Sequence, residues 1–118
     1  MSDVPIKVVK IRPYPISVLI FSAEGAQPVR CKMLKLTPTG FIARTPIEAF
    51  FKVSNEMIIE FDVPLSHVTI KSRAKVIKFY NRIVNKDERE HLVEMHFKHL
   101  SVSASDAVEA FLDKIGQK

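Results

Sequence analysis

Histidine and cysteine are the residues of this chain that could bind a metal or act as nucleophiles, and their spacing argues against both roles. His91, His96 and His99 are close in the sequence. However, His96 and His99 lie three residues apart on a predicted strand and would point to opposite faces. Cys31 is the one cysteine, which excludes an internal disulfide and fits a reducing compartment. With no phosphate loop and no nucleophile-elbow spacing, the sequence predicts neither an enzyme nor a metal site.

The basic residues point to an anionic partner instead. The chain has 118 residues and a net charge of +5. Three stretches without any acid, 4–23, 25–47 and 63–86, hold most of the lysines and arginines. If these stretches form neighbouring strands, the fold has one positive side. The charge is mild for a nucleic-acid-binding protein, and two tyrosines are too few to stack bases, so nucleic-acid binding is a distant alternative.

Alternating apolar and polar residues predict a mainly β fold. Met57, Ile59, Phe61 and Val63 share one face, and the segment 92–99 alternates in the same way. Strands are predicted over 16–22, two segments within 29–43, 57–63, 68–84 and 92–99, whereas 47–55 is ambiguous between a loop and one helical turn.

Turn residues and one break in alternation refine this pattern. Pro38 and Gly40 predict a tight turn in which Gly40 supplies a positive φ. A second, charged turn is predicted over 85–90. Val76 and Ile77 are adjacent apolar residues, and a β-bulge between them would place Ile77 and Phe79 inside. The pair Phe50-Phe51 either folds onto the core, which we favour, or forms an exposed docking patch.

The end of the chain has helical spacing. Ser103 and Asp106 resemble a capping box, and Gly116 would end the helix. The elements together predict one domain, 1–118, built as a small six-stranded antiparallel barrel capped by a C-terminal helix. We see no signal peptide and no membrane span, so we expect a soluble, cytoplasmic protein. The core face of the helix is predicted to consist of Ala104, Val108, Phe111, Leu112 and Ile115.

The order of these elements resembles the PilZ domain family. A basic, proline-broken N-terminal segment, six strands and a terminal helix follow one another from Lys10 to Ile115, and Phe97-Lys98-His99-Leu100-Ser101 looks like the family's exit from its last strand. Lys35-x-Thr37-x-x-Gly40 is similar to the family's second ligand motif, an acid or amide followed by x-Ser-x-x-Gly. The resemblance implies a small antiparallel barrel that serves as a non-enzymatic bacterial signalling module.

The resemblance also implies cyclic di-GMP as a ligand. In the family, two arginines in an RxxxR motif pair with phosphate and guanine. Arg12 is the sole arginine of the N-terminal segment here, and its partner positions hold Val8 and Ile16, so the second arginine is missing. Lys35 replaces the acid or amide, and a lysine cannot accept hydrogen bonds from guanine. The residues implied for ligand binding are Arg12, Arg30, Lys35, Thr37 and Gly40.

Two functions stay open at this point. The first is a cyclic-di-GMP-related receptor whose ligand motifs are weakened. The second is an adaptor that works through protein contacts in motility or in type IV pilus regulation, as some members of the family do. Thr37 and Gly40 suit a tight turn in any case, and we favour that role for them over ligand binding.

Overall fold

The computed structural model describes residues 15–22, 27–46, 51–85 and 88–116, which form six strands and one helix. All strand pairs are antiparallel, and the order β1-β2-β3-β6-β5-β4 closes into a barrel. The predicted six-stranded barrel with a C-terminal helix is confirmed. The elements are β1 (Ser17–Phe21), β2 (Val29–Thr37), β3 (Gly40–Thr45), β4 (Glu56–Asp62), β5 (Thr69–Asn85), β6 (Glu88–Phe97) and α1 (Val102–Lys114).

Inward side chains from every strand form one hydrophobic core. The predicted inner face of β4, from Met57 to Val63, is buried. The ring of Phe41 lies 6.4 Å from that of Phe61 and 6.0 Å from that of Phe97, and such aromatic contacts stabilise a core beyond the area they bury. The helix packs its predicted apolar face onto this same core through Ala104, Val108, Phe111 and Leu112.

The N-cap residue of the helix lies two residues before the predicted one. Ser101, not Ser103, is the N-cap residue, and its Oγ accepts a hydrogen bond of 3.1 Å from the backbone N–H of Ala104. The predicted box of Ser103 and Asp106 is therefore wrong. Gly116 has φ of +69° just after the helix and ends it as predicted.

The long strand β5 contains the predicted bulge, but one side chain points the other way. The register shifts between Val76 and Lys78, and Val76 is fully buried. Ile77 is the extra residue of the bulge and is 37% exposed, so its predicted inward position is wrong. Phe79 is half-buried and packs against the core. The predicted turn over 85–90 is shorter than expected, because β5 runs to Asn85 and β6 resumes at Glu88.

A second bulge, in β2, was not predicted. The register shifts between Met33 and Lys35, and both Met33 and Leu34 are buried. Leu34 joins Leu92 in a separate small cluster with Ile42 and Tyr80. Leu92 and Val93 are adjacent on β6 and point to opposite faces of the strand. Since Val93 points into the barrel, the cluster that contains Leu92 lies on the outside. The pattern of apolar and polar residues in the sequence did not predict that Leu34 and Leu92 form this cluster.

The segment before β4 folds onto the core at its described end. Phe51 is buried, and its ring lies 5.5 Å from that of Phe79 in an edge-to-face arrangement. The preferred prediction is confirmed for Phe51, whereas Phe50 and the helical turn considered over 47–55 fall partly outside the described residues. Among the described residues, no helix has the length and apolar composition needed to cross a membrane.

Candidate functional site

The turn between β2 and β3 is held by its own side chain. Thr37 Oγ1 accepts hydrogen bonds from the N–H groups of Thr39 (3.2 Å) and Gly40 (3.1 Å) and donates one to the carbonyl of Gly40 (3.1 Å). A hydroxyl has one donor and two acceptor positions, so this set occupies all of them. The N–H of Phe97 also donates to the carbonyl of Thr39 at 2.9 Å, which fixes the turn to β6.

Gly40 is required by close packing and not by a left-handed backbone. Among the described glycines, Gly116 alone has a positive φ, so the predicted positive φ at Gly40 is wrong. A Cβ atom at Gly40 would overlap the carbonyl oxygen of Met95 and would lie 3.0 Å from Cα of His96. Gly40 and His96 are direct partners in the pairing of β3 with β6. The glycine therefore lets the two strands come together at this seam of the barrel.

A cavity of about 110 Å³ beside this turn brings together three of the sequence-predicted site residues; we call it the turn cavity. Lys35 pairs with Ile42 across β2 and β3, and Ile42 pairs with Glu94 across β3 and β6, so cation and carboxylate stand in one row. The carboxylate of Glu94 lies 3.4 Å from Nε2 of His96. The cavity is lined by Lys35, Thr37, Gly40, Phe41, Ile42, Glu94 and His96.

Arg30 does not belong to the turn cavity. It lies at the opposite end of β2, five residues and about 16 Å of extended strand from Lys35. Arg30 is exposed and lines a larger surface cavity of about 360 Å³ together with Leu19, Glu60 and Asp62. The structure therefore does not bring Arg30 together with Lys35, Thr37 and Gly40, and its role in ligand binding stays a prediction.

The second arginine position can be tested at Ile16, although Arg12 itself lies outside the described residues. Ile16 is 3% exposed and belongs to the hydrophobic core. A motif that runs from position 12 to position 16 would replace this apolar core side chain with an arginine. The alternative pairs position 12 with Val8, which also lies outside the described residues.

The positive charge of the chain is divided between separate parts of the barrel. Acid-free β2 and β3 are separated from basic β5 by β6 on one side and by β1 and β4 on the other. On β6, Glu90 pairs with Arg44 at 3.5 Å. The condition for a single positive side is therefore met by the neighbouring strands β1, β2 and β3 and not by β5. The predicted outward row of Lys71, Arg73 and Lys75 on β5 is exposed, as the alternation indicated.

One carboxylate partly neutralises that row. Glu56 accepts from Lys98 at 2.9 Å and lies 3.9 Å from a guanidinium nitrogen of Arg73. The hydrogen bond and charge of Lys98, followed by the charges of Arg73 and Lys75, hold the pKa of Glu56 below its usual range.

Cysteine and histidine do not form a reactive centre within the described residues. Cys31 is buried in the core, and this burial raises the pKa of its thiol to about 12, so the thiolate required of a nucleophile is absent near neutral pH. No group of three or more His, Cys, Asp or Glu side chains in the described ranges is placed to hold a metal ion.

Sequence reasoning missed Glu94 and His96 as neighbours of the turn. Alternation placed both on the outer face of the last strand, but it carries no information about which strand lies beside which. The pairing of β3 with β6 brings them to Gly40 and Ile42. No local signal in the sequence reveals this pairing.

Comparisons with known proteins identify the fold. No protein-family model and no curated protein sequence matches the chain. Among solved structures it is similar to the PilZ domain with c-di-GMP of YcgR from Escherichia coli, with 11% identity over 90% of this chain and 85% of that chain, at a TM-score of 0.70. It is also similar to YcgR in complex with c-di-GMP from Escherichia coli, with 14% identity over 87% of this chain and 42% of that chain, at a TM-score of 0.69. The chain has the fold of a PilZ domain, and the predicted resemblance is confirmed at that level.

Proposed function

We propose that this chain is a non-enzymatic signalling module of the PilZ type and a weak receptor for cyclic di-GMP. The observation that carries this proposal is the turn cavity, which joins Lys35 to the Thr37–Gly40 turn on a fold whose solved neighbours were determined with that ligand. A phosphate of the dinucleotide would meet Lys35.

Several contacts that would favour the ligand are missing or already used, which makes the binding weak. The hydroxyl of Thr37 is saturated by its own turn, and Lys35 offers no acceptor to guanine. Glu94 adds a negative charge to the turn cavity. Losing one charge-assisted hydrogen bond typically costs about 1.5 to 3 kcal/mol, which is tenfold or more in affinity. Two such losses would move a micromolar site towards millimolar.

Calorimetric titration with cyclic di-GMP tests this proposal. We expect a dissociation constant between about 100 μM and 1 mM, and a further loss of about tenfold in Lys35→Ala. Lys32→Ala is the matched control, because Lys32 is exposed on the same strand and does not line the turn cavity. An equal loss of affinity in both variants, or an affinity that neither variant changes, would contradict the proposed site.

A gain-of-function variant addresses the assignment of the motif. Because Ile16 is buried, the second arginine belongs at position 8, and we propose the double change Val8→Arg/Lys35→Asp. It restores the family's residue types at both positions. We expect binding at least ten times tighter than that of the unmodified chain.

The adaptor remains the second candidate, and one observation favours it. The hydroxyl of Thr37 makes its hydrogen bonds within the turn, so the turn keeps its structure without a ligand. If the unmodified chain shows no heat with cyclic di-GMP while the double variant binds, the receptor proposal fails. The chain would then act as a protein-contact adaptor, and motility or pilus assembly would be the first systems in which to seek its partner.

A further inference from the structure

Strand β1 has apolar side chains on the outer surface of the barrel. Leu19 and Phe21 alternate with buried residues along this strand, so they point outwards, and both are only partly buried. Ile58 of β4 lies directly opposite Phe21, points outwards as well and is also partly buried. These three side chains form a short apolar strip on the outside of the barrel, which we call the β1 strip.

Opposite charges lie on the two sides of the β1 strip in matching positions. Arg30 of β2 and Glu60 of β4 are both paired with Leu19, one on each side of β1. Because β2 and β4 run in the same direction, Lys32 and Asp62 repeat this arrangement two residues further along. Neighbouring strands are about 4.8 Å apart, so the backbones of the cation and the acid in each row are separated by about 10 Å.

The surface cavity of about 360 Å³ lies on this same face of the barrel. Arg30 lines it from one side of β1, and Glu60 and Asp62 line it from the other. On the far side of β4, Lys71 lies opposite Glu60, and the hydroxyl of Thr69 donates to Asp62. Both acids nevertheless line the cavity, which therefore has a basic wall and an acidic wall.

We propose that the β1 strip is the interface of a homodimer, in which a second copy of this chain packs on it with the two-fold axis along β1. Rotation about that axis exchanges the two sides of the strip, because a two-fold interface joins one surface to itself. Arg30 of each copy then faces Glu60 of the other, and Lys32 faces Asp62 in the same way. The apolar side chains of the strip meet their own counterparts at the centre. The face is therefore complementary to itself in charge.

Charge favours a second copy over other partners of this face. A uniformly acidic or uniformly basic partner would meet like charge on one side of the strip. Sheets that pack face to face lie about 10 Å apart, a gap that long charged side chains on both copies can bridge. The barrel curves away beyond β2 and β4, so the interface is small and we expect a weak dimer. It lies apart from the turn cavity, so failure of the cyclic di-GMP proposal leaves it untouched.

Sedimentation equilibrium of the full chain over a range of concentrations tests the proposal. We expect a monomer–dimer equilibrium with a dissociation constant on the order of 100 μM. Arg30→Glu and Glu60→Arg should each weaken the dimer about tenfold, because each reversal creates two like-charge contacts across the two-fold axis. Lys114→Glu, at the exposed end of α1, is the control for net charge and should leave the dimer unchanged.

Rescue separates this interface from damage to the fold. A 1:1 mixture of the Arg30→Glu and Glu60→Arg variants should associate about as tightly as the unmodified chain, because the two reversed residues then face each other. The double variant Arg30→Glu/Glu60→Arg should dimerise equally well for the same reason.

Three results would overturn the proposal. The first is an unmodified chain that stays monomeric up to millimolar concentration. The second is association that neither charge reversal weakens, which would place the contact on another face of the barrel. The third is a mixture and a double variant that both remain as weak as the single variants, which would show that charge pairing across β1 does not hold the two copies together.

Discussion

Replacing Gly40 with alanine is the most direct test of how the barrel closes. The added Cβ would overlap the carbonyl oxygen of Met95 and would lie 3.0 Å from both Cα and Cδ2 of His96. The carbonyl oxygen of Met95 and Cα of His96 belong to the backbone, so the clash is relieved only if β3 and β6 separate. Overpacking typically costs 1 to 3 kcal/mol, and a backbone clash belongs at the upper end. We expect a loss of about 3 kcal/mol in the free energy of unfolding, or about 10 °C in Tm.

Urea denaturation followed by far-ultraviolet circular dichroism measures this loss. The matched control is Thr39→Ala, one residue earlier in the same turn, where the side chain is exposed and the change should stay within about 0.5 kcal/mol. A loss below 1 kcal/mol in Gly40→Ala would refute the argument from close approach. A larger loss in Thr39→Ala than in Gly40→Ala would mean that turn chemistry, and not strand packing, dominates at this position.

Three further changes test the helix and the core. Phe111→Ala should cost about 3 kcal/mol in a urea melt, because the ring is buried between α1 and the barrel; a loss below 1 kcal/mol would show that the helix is not docked. Ser101→Ala should cost about 1 kcal/mol through the lost cap, and Ser103→Ala should cost almost nothing; the reverse order would restore the discarded capping box. Cys31 should resist alkylation at pH 8 in the native protein and react readily in urea. Because burial raises its pKa in the folded state to about 12, stability should fall as pH rises above about 8.5, where the unfolded thiol ionises. Ready alkylation of the native protein would contradict that burial.

Local periodicity was enough to predict most of the elements. The alternation from Met57 to Val63 gave β4 its inner face, and the adjacent Val76 and Ile77 located a bulge. These predictions succeeded because each depends on the side-chain direction of residues close in sequence. The direction of Ile77 was wrong because a bulge has an extra residue, and sequence does not say which of two apolar neighbours it is.

The candidate site was harder to predict because it depends on contacts between distant segments. Lys35, Thr37 and Gly40 lie within six consecutive residues around one turn, and the sequence placed them together. Glu94 lines the same cavity only because β3 pairs with β6. Arg30 does not line it, because Arg30 and Lys35 lie at opposite ends of the long strand β2. The sequence also could not show why a glycine is required at position 40, since the atoms that exclude a side chain there belong to β6.

The strand order has a consequence for how this chain acquires its structure. β1 pairs with β2 and β4. β3 pairs with β6, and the whole of β4 and β5 lies between these two strands in the sequence. During synthesis, the ribosome releases the first five strands before the one that completes the ring. Until then β3 exposes an unpaired edge, and non-local pairing of this kind slows folding. We therefore expect nascent chains that stop before β6 to be aggregation-prone, with release of the last strand as the step that ends this vulnerability.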